Sequence, residues 1–279
     1  MRSMLTPEEK AKQILTQWVS NCKMRNTSGK VELRDVSNWA EKRLEISRDC
    51  PDLDSVDGVF LFLCLGSLLS SGGGSYQGRV TELRNRYQAL LSRRFDVDRM
   101  GKPLSEERKE RFKAINAKLR DLMGAFGSSH FLQDWWENKK EEYEGDVDRS
   151  GIAIIRELHD WTYTDEEVPL FTVKVFWVAR ELHANGIWSD FPVKYCCIPD
   201  GYVKDTLAEL YGLEGYKRLF GISYRDPCFY MDSAILMSQK VCELVSTEKV
   251  DGYYPYDLPF FRRGYERRSA RHSLGAMRE

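Results

Sequence analysis

Apolar residues recur at helical spacing along most of the chain, and this pattern predicts a protein built from helices. The first helix is expected over residues 7–24, with Thr6 as N-cap and Pro7 in its first turn. The same spacing predicts further helices over 56–70, 79–95, 99–121, 128–143, 168–184, 201–211 and 227–245. Residues 145–165 are expected to form a polar connector with one short helix. With no internal repeat and no pair of alternating strands, the pattern predicts an all-α fold.

Composition and charge exclude several classes of protein. Of 279 residues, 42% are apolar and 30% charged, which excludes wholesale disorder. The net charge of −1 excludes a surface that is basic throughout, but it leaves room for a local basic groove. The N-terminus lacks the apolar stretch of a signal peptide, and the longest apolar run, 59–69, is too short to span a membrane. We therefore expect a cytoplasmic protein with no membrane partner, and a monomer is favoured.

Cysteine and histidine usage predicts neither a disulfide framework nor a metal site. The seven cysteines include no CxxC pair, and the four histidines are scattered along the chain. We expect no metal and no cofactor.

The chain divides by composition into an N-terminal helical segment (1–50), a helical core (51–249) and a basic, aromatic C-terminal tail (250–279). Two interpretations of the tail are open. Its arginines and aromatic rings suit a nucleic-acid backbone with stacked bases. Alternatively, the tail packs its aromatic rings on the core and leaves the arginines in solvent. The arginines that would contact nucleic acid are Arg262, Arg263, Arg267 and Arg268.

Asp200 is the residue whose position most clearly predicts a chemical role. It follows Pro199 and precedes the helical pattern of 201–211, so its carboxylate faces free N–H groups and the positive end of the helix dipole. These favour the anion, and we expect Asp200 to stay charged at neutral pH. A fixed anion can stabilise the positive charge that develops on a sugar when an N-glycosidic bond breaks, and it can deprotonate the attacking water. The alternative is that Asp200 only caps the helix.

Residues 170–213 resemble the helix-hairpin-helix DNA glycosylase superfamily, and most closely its archaeal 8-oxoguanine DNA glycosylase branch. In that superfamily an aspartate opens a helix of the pattern D-x-x-V-x-R-x-L-x-R-L-G-L. Asp200, Val203, Leu207 and Leu210 match this pattern here, and Gly212 stands one position after the pattern's glycine. Three other segments follow in the family's order: an apolar helix with a glycine-containing pocket loop (59–76), a "PFL…KK" segment (129–140) and a last core helix (226–244).

The resemblance implies two helical lobes with the active site in the cleft between them, and a base flipped out of DNA into a pocket. Asp200 would be the catalytic carboxylate, and Asp232, near the start of the last core helix, would support it. The pocket candidates are Ser75, Tyr76, Gln77, Trp135 and Trp136, although one of the two tryptophans is expected to belong to the core. The DNA-contacting lysines would be Lys139, Lys140 and Lys174.

Two departures from the family refine the expected activity. Glu167 stands where the bifunctional members carry a nucleophilic lysine, which predicts hydrolysis without a lyase step. Glu167 itself is either part of the site or a solvated loop carboxylate. The family's glycine-rich hairpin is also missing, since 150–169 contains only Gly151. The sequence thus predicts a monofunctional DNA glycosylase, in base-excision repair or anti-phage defence. The alternatives are an N-glycosidase of free modified nucleotides, similar to the queuosine-salvage family, and a non-catalytic helical interaction module.

Overall fold

The computed structural model describes residues 5–25, 131–162, 170–184, 186–226 and 230–276, with separate positions between 103 and 110. Within these ranges the chain is helical and has no β-strand, which confirms the all-α class for this part of the protein. The helices predicted over 56–70 and 79–95, and most of 99–121, lie outside the described residues. None of the described helices is long and apolar enough to cross a bilayer.

Seven α-helices are described. They are α1 (Pro7–Arg25), α2 (Phe131–Glu142), α3 (Val147–Thr162), α4 (Leu170–Ala184), α5 (Gly201–Phe220), α6 (Met231–Val241) and α7 (Leu258–Ala276). A 3₁₀ turn, Val193–Tyr195, precedes α5, and a π-helical turn, Cys242–Ser246, continues α6.

The chain divides into two compact units. Residues 1–33 and 192–279 form the first unit, and residues 34–191 form the second. The sequence analysis placed its boundaries after residues 50 and 249 instead. In the first unit α7 packs along α5, and α1 contacts both helices, so the two ends of the chain belong to the same unit.

The start of α1 is the one predicted. The Thr6 amide donates to Glu9 Oε2 at 2.8 Å, and the Glu9 amide donates to Thr6 Oγ1 at 3.2 Å. The two residues thus form a reciprocal capping box, which satisfies backbone donors that the first helical turn leaves unpaired.

The prediction of a polar connector over 145–165 is wrong, because α3 runs through most of it. Asp146 Oδ1 accepts from the amides of Asp148 and Arg149, both at 3.1 Å, and so caps the helix. A buried apolar stripe then follows one face, formed by Ile154, Ile155 and Leu158. Gly151, the glycine considered for the hairpin, lies inside this helix.

The helix predicted to stop at Gly212 is interrupted there and then continues. Gly212 has φ 69° and ψ 166°, which is not helical, and the chain resumes its helix as far as Phe220. The helix ends at Gly221, where φ of 72° gives the left-handed cap that glycine adopts without strain.

The segment predicted as a C-terminal tail contains helix α7, which packs closely on α5. Tyr256 and Phe260 are buried, whereas Tyr265 is exposed. At Gly264, a Cβ atom would lie 2.1 Å from the carbonyl oxygen of Tyr202. Only glycine therefore allows α7 to approach the beginning of α5 this closely.

Candidate functional site

The backbone that leads into Asp200 is held by hydrogen bonds from several elements of the first unit. Ser238 Oγ on α6 donates to the Lys194 carbonyl at 2.8 Å. The Ile198 amide donates to Asp257 Oδ1 at 2.9 Å. Asp257 stands immediately before α7 and is only 2% exposed. These hydrogen bonds therefore fix the conformation of the backbone that leads into α5.

The carboxylate of Asp200 caps helix α5. Its Oδ1 accepts from the amides of Tyr202 and Val203, each at 2.9 Å. Asp200 itself is extended, with φ −73° and ψ 179°, as an N-cap requires. The capping geometry predicted from the sequence is thus confirmed. Any catalytic role of Asp200 has to be compatible with this capping role.

The expectation that Asp200 stays fully charged at neutral pH is wrong. Burial of the carboxyl group is the largest influence and, with the negative charge of Asp257, raises the pKa of Asp200 from its ordinary 3.8 to about 7. The hydrogen bonds from Val203 and Tyr202 and the charge of Arg268 act in the opposite direction without cancelling the rise. Near neutral pH, the Asp200 carboxyl group is therefore partly protonated and partly ionised.

Arg268 on α7 contacts three residues in the first turns of α5. Its Nε donates to the carboxylate of Asp205, which is 8% exposed and also accepts from the Tyr224 hydroxyl. Its Nη2 donates to the Gly201 carbonyl at 2.8 Å. Its guanidinium lies 4.7 Å from the ring centroid of Tyr202.

The other arginines predicted to contact DNA also make ion pairs within the chain. Arg263 Nη2 and Arg267 Nη1 donate to the two carboxylate oxygens of Glu209, at 2.7 and 2.6 Å. Although burial opposes it, the hydrogen bonds and charges of the two arginines lower the pKa of Glu209. Arg262 pairs with Glu266 on its own helix at 2.8 Å. Helix α7 therefore lays Arg263, Arg267 and Arg268 onto carboxylates of α5.

The predicted DNA-contacting lysines lie in the second unit, and two of them, Lys139 and Lys140, are likewise paired. Lys139 contacts Glu142 and Glu157. Lys140 contacts Glu137 and Asp190, at 2.8 and 2.7 Å. Lys174 lies in α4, and its side chain is outside the described residues.

Both tryptophans considered for a base pocket are core residues, where only one was expected to be. Trp135 is 2% exposed and Trp136 is 1% exposed. Trp135 meets Trp188 edge-on, and Trp136 meets Phe191 in the same way, with ring centroids 5.7 and 5.2 Å apart. Their indole N–H groups donate to Glu157 and Asp190.

Of the remaining predicted residues, Asp232 lies in the part of the chain that the structure describes. Asp232 is exposed in the first turn of α6, and the carboxylate that acts on the pKa of Asp200 is that of Asp257. Ser75, Tyr76, Gln77 and Glu167 lie outside the described residues. The sequence analysis missed Asp257 and Asp205, and it assigned Arg268 to contact with DNA. The available signal for Asp257 was an aspartate before the Leu258-Pro259 helix start.

No metal centre is found in the part of the chain that the structure describes. There, His, Cys, Asp and Glu side chains form no group of three that could hold an ion.

Comparisons with protein-family models, with curated proteins and with solved structures give no match to this chain. The resemblance to helix-hairpin-helix glycosylases therefore rests on the sequence motifs alone.

Proposed function

We propose that the protein is a monofunctional DNA glycosylase that hydrolyses the N-glycosidic bond of a modified base and leaves an abasic sugar. The observation that carries this proposal is the carboxyl group of Asp200, which two backbone amides hold at the start of α5 and whose pKa is about 7. The motif resemblance around Asp200 supports N-glycosidic chemistry and a flipped-out base as substrate.

In the proposed reaction Asp200 acts in its ionised form. As the bond between sugar and base breaks, its electron pair leaves with the base, and positive charge develops on the sugar, where an anion stabilises it. A water molecule adds to the anomeric carbon and gives one proton to Asp200, which passes it to the departing base or to solvent. No lysine nucleophile takes part, so the abasic strand stays intact.

A second candidate substrate is a free modified nucleotide. The observation that favours it is the pairing of Arg263 and Arg267 with Glu209, and of Arg268 with Asp205. A DNA backbone would have to displace these carboxylates before it could use the arginines, whereas a single nucleotide needs no such groove.

The proposal is tested by a base-release assay on the full chain. The substrates are duplex DNA with damaged or phage-type modified bases and, in a second arm, the corresponding free nucleotides; mass spectrometry detects the free base. We expect release from DNA to fall at least about 100-fold in Asp200→Asn, since general-base catalysis typically contributes that much or more. Because Asp200 must be ionised, kcat/KM is expected to rise with pH through about 7.

The matched control is Asp251→Asn, which changes an exposed aspartate in the loop before α7 and is expected to leave release unchanged. Release from nucleotides alone would select the second candidate. Release that survives in Asp200→Asn would contradict the assigned role, and no release from either substrate would favour a non-catalytic helical module.

A further inference from the structure

Two side chains of opposite charge hold the backbone on either side of Asp200. On the entering side, Asp257 Oδ1 accepts from the Ile198 amide at 2.9 Å, and the Ile198 carbonyl in turn accepts from the Asp200 amide at 2.9 Å. On the leaving side, Arg268 Nη2 donates to the Gly201 carbonyl at 2.8 Å. Both residues come from the same region of the chain, one just before α7 and the other within it.

We propose that Asp257 and Arg268 are positioning residues for Asp200, each fixing the backbone on one side of the carboxyl group and contributing a charge of opposite sign. The inference rests on the proposed function, because it assigns the two residues to the poising of a catalytic carboxyl group. It assigns a role to Asp257, which the sequence analysis did not select, and a different role to Arg268, which was there assigned to DNA.

The two charges act on Asp200 in opposite directions. After burial and the Val203 amide, the charge of Asp257 is the next influence on the pKa of Asp200 and raises it, whereas the charge of Arg268 lowers it. The balance between them sets how much of the Asp200 carboxyl group is ionised at neutral pH.

Other charged groups around α5 are occupied elsewhere. On α5 itself, Asp205 bonds Arg268, and Lys204 Nζ donates to the Asp226 carbonyl at 3.0 Å. The groups that α1 and α6 bring to this helix, Glu8 and Lys240, act on Tyr211, about three turns beyond Asp200. Asp232 is exposed in the first turn of α6. By contrast, the charges of Asp257 and Arg268 act on Asp200 itself.

The geometry of Arg268 uses the whole guanidinium group. One nitrogen bonds Asp205, another bonds the Gly201 carbonyl, and the flat face covers the ring of Tyr202. A lysine supplies the charge but not this fork. The position of α7 and the protonation of Asp200 are therefore linked through one side chain.

The experiment measures the protonation midpoint of Asp200 directly, without substrate. The full chain is labelled with ¹³C at the aspartate carboxyl carbons, and the Asp200 signal is identified by its loss in Asp200→Asn. Asp257→Asn retains an oxygen that accepts from the Ile198 amide and removes the charge. We expect it to move the midpoint to lower pH by about half a unit to one unit, and Arg268→Gln to move it to higher pH by a similar amount.

The matched control is Arg262→Gln, which removes an arginine of α7 that bonds Glu266 on the same helix and is expected to leave the midpoint unchanged. Arg268→Lys keeps the charge, so its midpoint is expected between those of the wild type and Arg268→Gln. If Arg268→Gln does not fold, Arg268→Lys and Asp257→Asn carry the test.

Unchanged midpoints in Asp257→Asn and Arg268→Gln, or shifts in the same direction, would overturn the proposal. The measurement separates this inference from the proposed function. If the midpoints shift in opposite directions but the protein releases no base, the proposed glycosylase function is wrong and the electrostatic arrangement stands. If base is released but the midpoints do not change, only the positioning role is wrong.

Discussion

In the described part of the second unit, aromatic rings pack around Trp188 and Arg180 is the buried charged side chain, whereas the first unit buries Lys204, Asp205 and Asp257. Around Trp188, rings pack on rings, and the indole N–H groups of Trp135 and Trp136 reach carboxylates at the rim. Between α5 and α7, by contrast, Asp205 is 8% exposed and Asp257 is 2% exposed. Residues of both regions were predicted to contact a ligand. Burial of aromatic rings and burial of charges, however, have different consequences.

This difference identifies the contact between α5 and α7 as the region where proton exchange is expected. Burial of aromatic surface stabilises a fold by an amount that does not depend on pH. Burial of a carboxyl group disfavours its ionised form, so stability and protonation become coupled. The aromatic cluster is thus expected to act only through folding, and the α5–α7 contact through both folding and proton exchange.

The largest expected effect is the loss of an aromatic core residue. Trp188 is fully buried, stacks on Phe191 at 5.1 Å between centroids and donates to the Leu132 carbonyl at 2.8 Å. Trp188→Ala is expected to cost about 3–5 kcal/mol of unfolding free energy, because a large cavity replaces the ring. Guanidinium denaturation at pH 5 and pH 8 should show the same loss at both pH values.

The control for this variant is Tyr253→Ala, which removes a ring that is 51% exposed and should change stability by about 0.5 kcal/mol or less. A loss in Trp188→Ala that differed strongly between the two pH values would break the distinction between the regions.

A smaller, pH-dependent effect is expected from Asp200→Asn. The folded pKa of Asp200 is raised, so the folded state binds the proton more tightly than the unfolded chain, and wild-type stability falls as the pH rises from about 4 through about 7. Since one pKa unit corresponds to about 1.4 kcal/mol, the loss has an upper bound of about 4 kcal/mol. Asparagine cannot ionise and still caps the helix. The variant should therefore be more stable than the wild type at pH 8 and lose this advantage by pH 4.

The measurement is the unfolding free energy of both proteins across this pH range, with Asp251→Asn as a control for an exposed carboxylate. A constant difference between Asp200→Asn and the wild type at all pH values would mean that the Asp200 carboxyl group titrates normally, and the contrast with the aromatic core would disappear.

Local rules predicted those features that depend on neighbours in the sequence. The capping box at Thr6 and the cap at Asp200 follow from residue type at a helix start, and both are found. The length of α3 did not follow, because charged residues between Ile154 and Leu158 conceal a buried stripe. The break at Gly212 was visible, but the packing that lets the helix resume was not.

The pKa of Asp200 shows most clearly where sequence reasoning ends. The two local influences, the amide hydrogen bonds and the helix dipole, favour the anion as expected. Burial and Asp257 outweigh them, and both depend on a segment distant in the sequence. The same holds for Gly264, whose close approach to Tyr202 could not be read from a pattern.

The smallest expected effect on stability concerns the arginines of α7, and it separates their structural role from DNA binding. Glu209→Gln removes the carboxylate that Arg263 and Arg267 share. Because these side chains are partly exposed, the loss in unfolding free energy should be about 1 kcal/mol or less. The freed guanidinium groups are expected to tighten binding to duplex DNA and to steepen its salt dependence, since each new phosphate contact releases counterions.

The measurement is a fluorescence-anisotropy titration at several salt concentrations, with Glu266→Gln, which frees Arg262 alone, as the matched comparison. Unchanged DNA affinity with a stability loss well above about 1 kcal/mol would assign both arginines to the fold, and would favour a free nucleotide as the substrate.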